Sequence, residues 1–133
     1  MDWIHHGIGM VGTYARQHGY DIDIFDMRDL NSWKEFELIM EKEQFDVVGI
    51  SISYVDYKTA LQAIDITKKV SPKSIIVAGG FVANLFPQVL LDNPMIDYVI
   101  KGEGEKSFTA LLRLIEHGMK AERLIESIRP ELD

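Results

Sequence analysis

Cysteine is absent from this chain of 133 residues. Its absence excludes disulfides, thiolate metal sites and an iron–sulfur cluster held by these residues. Positive charge is scarce. The 14 lysines and arginines face 21 aspartates and glutamates, giving a formal net charge of −7 and a pI near 5.0. That balance argues against a nucleic-acid groove or an anionic membrane surface as partner. No apolar run is long enough to span a bilayer. A reducing, cytoplasmic location is the expectation. What is abundant is apolar content, 47% of residues, enough for one domain of this length to bury a core.

Short apolar runs alternate with segments of helical period. Ile8, Val11 and Ala15 recur at helical spacing, so residues 7–18 read as a helix stopped by Gly19. A strand follows over 21–25. Ser32 and Glu35 form the signature of a capping box for a helix over 33–43. The apolar run 47–53 reads as a strand covered on both faces. A helix over 57–70, with Ala60, Ala63, Ile64 and Thr67 on one side, ends at Ser71-Pro72. Strands over 74–78 and 96–101 flank a short helix over 85–92, and helices over 106–117 and 120–128 complete the pattern. This alternation predicts an α/β fold, a flavodoxin-like three-layer α/β/α arrangement around a parallel sheet. A sheet of that kind begins with a central strand, and none precedes residue 7. The expectation is therefore a fragment of a longer chain whose first strand is missing. The open edges left by that gap invite pairing, including homo-oligomer formation.

The most informative local feature is Asp97-Tyr98-Val99-Ile100-Lys101-Gly102-Glu103-Gly104-Glu105. A strand ends there in two glycines and two glutamates, at the carboxyl edge where open α/β sheets receive ligands. Two other strand ends share that edge: Ser51-Ile52-Ser53 and Gly79-Gly80. Glycine at a strand end lets a ligand approach the backbone, and it also serves turns of positive φ. Serine there can meet a ligand or satisfy local backbone groups. Glu103 and Glu105 are placed to complement a helix N-terminus, with no histidine arranged to share acid–base chemistry. No residue is predicted as catalytic and none as a metal ligand. Asp26 and Asp46 raise a phosphate-accepting receiver as an alternative, but the strand that would deliver the acceptor ends in serines.

Together these pieces carry a family resemblance. The run from Gly7-Ile8-Gly9 to Arg16 with His18-Gly19-Tyr20-Asp21-Ile22, then Val47-Val48-Gly49-Ile50-Ser51, Val77-Ala78-Gly79-Gly80 and the Gly102-Glu103-Gly104-Glu105 turn occur in the order seen in the cobalamin-binding domain of radical S-adenosylmethionine (SAM) enzymes, while His6-Gly7-Ile8-Gly9 resembles the His-x-x-Gly part of the wider cobalamin-binding family. The chain resembles that domain over about residues 4–117, most nearly in the branch of the anaerobic magnesium-protoporphyrin monomethyl ester oxidative cyclase. The resemblance implies that residues 1–133 form one cobalamin-binding domain, with a radical SAM domain carrying SAM and a [4Fe-4S] cluster further along the parent chain. It implies a part in methyl transfer or oxidative cyclase chemistry, with no catalysis by this domain alone. It places the cofactor against His6, Gly7, Gly9, Ser51, Ser53, Gly79, Gly80, Gly102, Glu103 and Gly104. In histidine-ligated relatives an Asp orients the lower-ligand imidazole. Ile4 holds that position here, so His6 is not expected to ligate cobalt. The other reading is a cofactor-free regulatory or small-molecule-sensing module on the same fold.

Overall fold

A computed structural model of the chain describes residues 17, 19, 20, 32–53, 57–102 and 104–126. The helix expected over 7–18 (Gln17 apart) and the strand expected over 21–25 lie outside the described residues. The described chain runs α1 (Trp33–Glu43), β1 (Val47–Ser51), α2 (Tyr57–Val70), β2 (Ile75–Gly79), α3 (Phe81–Leu85), α4 (Pro87–Leu91), β3 (Tyr98–Lys101), α5 (Glu105–Glu116) and β4 (Leu124–Glu126).

The four strands form one sheet in the order β1-β2-β3-β4, and every pairing is parallel. Side chains alternate between its faces, as the pleat requires. Val48, Ile50, Ala78, Val99 and Leu124 point to one face, where Ile64 of α2, Val82 and Ala83 of α3 and Leu90 of α4 pack on them. α1 lies against α2 through Phe36, Met40 and Ala63, with the Trp33 ring edge-on to Phe36 at 5.8 Å. Val77 and Ile100 point to the opposite face, where Phe108, Leu111 and Ile115 of α5 cover them. The Phe108 ring of α5 reaches Gly49 of β1, where a Cβ would sit at ordinary contact distance, 3.4 Å. Burying each of Ile64, Ile76, Leu90 and Val99 contributes roughly 1.5–3 kcal/mol. The layers are thus helix, sheet, helix.

Local chemistry sets the boundaries. Ser32 is extended, and its Oγ accepts the Glu35 N–H at 3.2 Å, which starts α1. Gln44 ends it in the left-handed region at φ 49°, an unusual place for a side chain. Its own amide holds it there, donating to the carbonyls of Glu41 at 2.7 Å and Val70 at 2.9 Å.

Two expectations are corrected. The short helix expected over 85–92 is α4, Pro87–Leu91, but the stretch before it is a second short helix, α3, rather than a loop, and the two are separated at Phe86 (φ −135°, ψ 56°). Pro87 forces the break, since the residue before proline is excluded from helical backbone. The helix expected over 120–128 is instead strand β4 over Leu124–Glu126. Leu124 and Ile125 bury on opposite faces, and the Val99 N–H donates to the Arg123 carbonyl at 2.7 Å. The open edge of β3 captures a segment that local propensity would have left helical.

The amino edge of the sheet is closed by side chains. The Ser71 and Ser74 hydroxyls share a 2.6 Å hydrogen bond, and Ser74 donates to the Phe45 carbonyl at 2.5 Å. Asp97 Oδ2 accepts from Lys68 Nζ at 3.0 Å and from the Ile76 N–H at 2.8 Å. Arg123 reaches the Ile96 carbonyl at 2.8 Å. No helix among the described residues is long and apolar enough to cross a membrane.

Candidate cofactor-binding edge

The parallel register carries Ser51, Gly79 and the end of β3 to the same edge of the sheet, with Ser51 directly beside Gly79. Backbone hydrogen bonds extend the pairing past the strands. The Ile52 N–H donates to the Gly79 carbonyl at 2.9 Å, and the Val82 N–H donates to the Ile52 carbonyl at 3.0 Å. The second bond also satisfies a donor in the first turn of α3, which the helix leaves unpaired. Asn84 then joins two loops. Its N–H donates to the Gly80 carbonyl at 3.0 Å, and its Oδ1 accepts the Gly102 N–H at 2.7 Å.

The two adjacent glycines do different work. Gly80 has φ +92°, and a Cβ there would lie 2.6 Å from Ser51 Oγ and 3.0 Å from the Ile52 nitrogen. The fold itself demands glycine at that position. Gly79 is not so constrained. Among the described residues, a Cβ on Gly79 would meet only the Ile100 carbonyl, at 3.8 Å. The described residues leave that space open, and a side chain would fill it. Gly102 has φ +94° and turns the chain out of β3, while Gly104 is half-buried at φ −93° as the N-cap of α5.

Ser51 is half-buried, and its hydroxyl makes no hydrogen bond to another described residue. Ser53 stands two residues on, half-buried at the same edge. Six of the ten residues expected to meet a cofactor are thus brought together: Ser51, Ser53, Gly79, Gly80, Gly102 and Gly104. His6, Gly7, Gly9 and Glu103 lie outside the described residues. Asn84 was not singled out by its sequence. An asparagine four residues after a Gly-Gly turn is the signal that would have found it, since such a residue lies over the start of its helix.

Chemically the edge offers small residues, exposed backbone and a serine hydroxyl. It can receive a bulky group closely and hold it by hydrogen bonds. A corrinoid with a nucleotide tail has that character, and the open space at Gly79 fits it. Among the described residues no cluster of three or more His, Cys, Asp or Glu is placed to hold a metal ion.

Known proteins agree with this geometry. The N-terminal domain of a hypothetical protein from Thermotoga maritima superposes with a TM-score of 0.58 at 16% identity, covering 96% of this chain and 92% of that one. The likeness shows the fold. The chain is 30% identical over 122 residues to the anaerobic magnesium-protoporphyrin IX monomethyl ester cyclase of Rubrivivax gelatinosus, covering 88% of this chain and 22% of that protein. It is 26% identical over 121 residues to the cytidylyl-2-hydroxyethylphosphonate methyltransferase of Streptomyces wedmorensis, covering 77% and 23%. It is 25% identical over 122 residues to an uncharacterized methyltransferase of Pyrococcus horikoshii, covering 90% and 26%. The chain spans about a quarter of the length of these relatives. The family model of the B12 binding domain matches residues 1–112, most of the chain. With a parallel sheet whose carboxyl edge is built for close approach, the chain belongs to the B12-binding domain family.

Proposed function

We propose that this domain positions cobalamin for a methyltransferase or oxidative cyclase whose remaining part is a radical SAM domain carrying SAM and a [4Fe-4S] cluster. The observation that carries the reading is Gly79, whose missing side chain leaves a space that no described residue fills. Ser51, Ser53 and Gly79 would hold the cofactor from one side, and Gly102, Glu103 and Gly104 from the other. Gly80 shapes the turn between them. His6, Gly7 and Gly9 would also hold the cofactor, and His6 lacks the Asp partner that a ligating imidazole normally has.

When bound, cobalamin supplies a cobalt centre that carries a methyl group or changes oxidation state. This chain's own residues bind and orient. The parallel sheet fixes the spacing of the three loops, and the hydroxyl of Ser51 is available as donor or acceptor. In this reading the reaction is completed by the radical SAM domain, and these groups bind and orient the cofactor for it. The named activities of the cyclase and methyltransferase relatives support the choice of chemistry.

Two surface features support a larger assembly. Phe81, Leu85, Phe86 and Val89 are each about half exposed on α3 and α4, beside the same edge. A radical SAM domain seated over the cofactor would cover them. Among the described residues β1 is paired on one side only, and Gly49 within it is exposed. A further strand would pair there, from the parent chain or from a second copy.

The test is direct. The 133-residue chain is incubated with hydroxocobalamin, desalted, and scanned in the visible range. Corrin absorption that travels with the protein is the expected result. A colourless protein at micromolar concentration would refute the binding role.

A further inference from the structure

We infer that Asn84 is a positioning residue, whose side chain fixes Gly102 at the start of the loop after β3 in the form that receives the cofactor. This rests on the cobalamin reading above. The loop after β3 begins at Gly102, an exposed residue with φ +94°. A glycine turn of this kind samples many backbone conformations unless something restrains it. Its amide is restrained by one bond, from Gly102 N–H to Asn84 Oδ1 at 2.7 Å. That length is at the short end for an N–H···O bond.

Asn84 is itself anchored. Its N–H donates to the Gly80 carbonyl at 3.0 Å, so the residue is tied to the β2–α3 turn through its backbone and to the β3–α5 turn through its side chain. Gly80 is in turn locked against Ser51 and Ile52 by the lack of room for a side chain. Residue 84 therefore couples the loop after β3 to the turn after β2, which backbone bonds already join to the end of β1. Its neighbours on α3, Val82 and Ala83, are buried and hold the helix to the sheet, whereas Asn84 is exposed and contributes little to the core. An exposed residue that restrains a ligand-facing loop without filling the core affects binding more than folding. The mechanism is loss of preorganisation, since a disordered loop must be ordered when the ligand arrives.

The experiment compares the parent chain with Asn84→Leu and Asn84→Asp. Leucine removes the acceptor at similar volume, and aspartate keeps an oxygen in its place. Three measurements are made: amide hydrogen exchange at Gly102, thermal midpoint, and affinity for hydroxocobalamin by visible titration. Asn84→Leu is expected to speed exchange at Gly102 and to weaken cobalamin binding about fivefold, the worth of one ordinary hydrogen bond. Its thermal midpoint should stay within a few degrees of the parent. Asn84→Asp should restore slow exchange and parent-like affinity. Equal affinity of Asn84→Leu and the parent would overturn the assignment, as would equal loss in both variants. A parent chain that fails to bind hydroxocobalamin would remove the cobalamin reading and this inference with it. A parent that binds while Asn84→Leu is unchanged removes only the role of Asn84.

Discussion

Gly79 and Gly80 are neighbours of identical chemistry, yet the structure gives them opposite sensitivities. Gly80→Ala places an L-residue at φ +92°, a backbone conformation that costs about 1–3 kcal/mol. The new Cβ would also lie 2.6 Å from Ser51 Oγ and 3.0 Å from the Ile52 nitrogen, so the ends of β1 and β2 must separate. Together these cost about 2–4 kcal/mol, the range of a strained and overpacked site. Gly79→Val meets only the Ile100 carbonyl at 3.8 Å, and a β-branched residue suits the end of a strand. Its effect on stability should stay within about 1 kcal/mol. Cobalamin affinity behaves in reverse, because the valine side chain occupies the space proposed for the cofactor. A loss of at least about tenfold is expected, equivalent to about 1.4 kcal/mol. Urea denaturation measures the first quantity, and visible titration with hydroxocobalamin measures the second. The reasoning fails if Gly79→Val unfolds as readily as Gly80→Ala, or if its affinity stays within a few-fold of the parent.

Other outcomes follow from the same geometry. Asp97→Ala removes the acceptor shared by the Ile76 N–H and Lys68 at the amino edge, and should cost about 1–3 kcal/mol in urea denaturation without changing cobalamin affinity. A matching loss of affinity would show that the two edges are not independent. Glu37 is held below the usual carboxylate pKa by its hydrogen bond from Lys34, then by the charges of Lys34 and Lys69. A folded pKa below the unfolded one means its contribution is present above the unfolded value and is lost as pH falls through the folded one. Lys34→Ala should raise the Glu37 midpoint toward 4.5 in an NMR titration, and an unmoved midpoint would contradict the pairing. His6→Ala should leave the spectrum of bound cobalamin unchanged, because Ile4 stands where an orienting Asp is needed. A shift of the cobalt bands would instead make His6 the lower ligand.

How legible the fold was depended on how much of each element is decided locally. α2 was readable to the residue, because Ala60, Ala63, Ile64 and Thr67 repeat at helical spacing and Pro72 follows its end. β2 and β3 were readable because strands buried on both faces are apolar throughout, and β1 was readable from its apolar run although the described residues leave it only half-buried, with Gly49 exposed. β4 was not. Leu124-Ile125-Glu126 is three residues long and has no period of its own, and only the open edge of β3 makes it a strand. The site divides in the same way. The glycines and serines stand out at strand ends, so the edge was legible. Which glycine serves the fold and which is free depends on where Ser51 Oγ lies, and that is a tertiary fact. Asn84 was hidden for a related reason: the Gly102 amide that it accepts is 18 residues away in sequence.

The two edges of the sheet are built from different chemistry, and this explains why stability and binding should separate. At the amino edge Lys68, Asp97, Ser71, Ser74 and Arg123 bind backbone groups of neighbouring strands or one another. Each removal there strands a polar group, which is the costly kind of loss. At the carboxyl edge lie four glycines, Gly79, Gly80, Gly102 and Gly104, with Ser51 and Ser53, and the Asn84 side chain ties the loop after β3 to α3. Residues this small let a ligand approach the backbone. A side chain such as valine at Gly79 would fill the space proposed for that ligand. The destabilising substitutions should concentrate at residues 68, 71, 74 and 97, with Gly80 as the exception, because its backbone strain belongs to the fold rather than to the ligand.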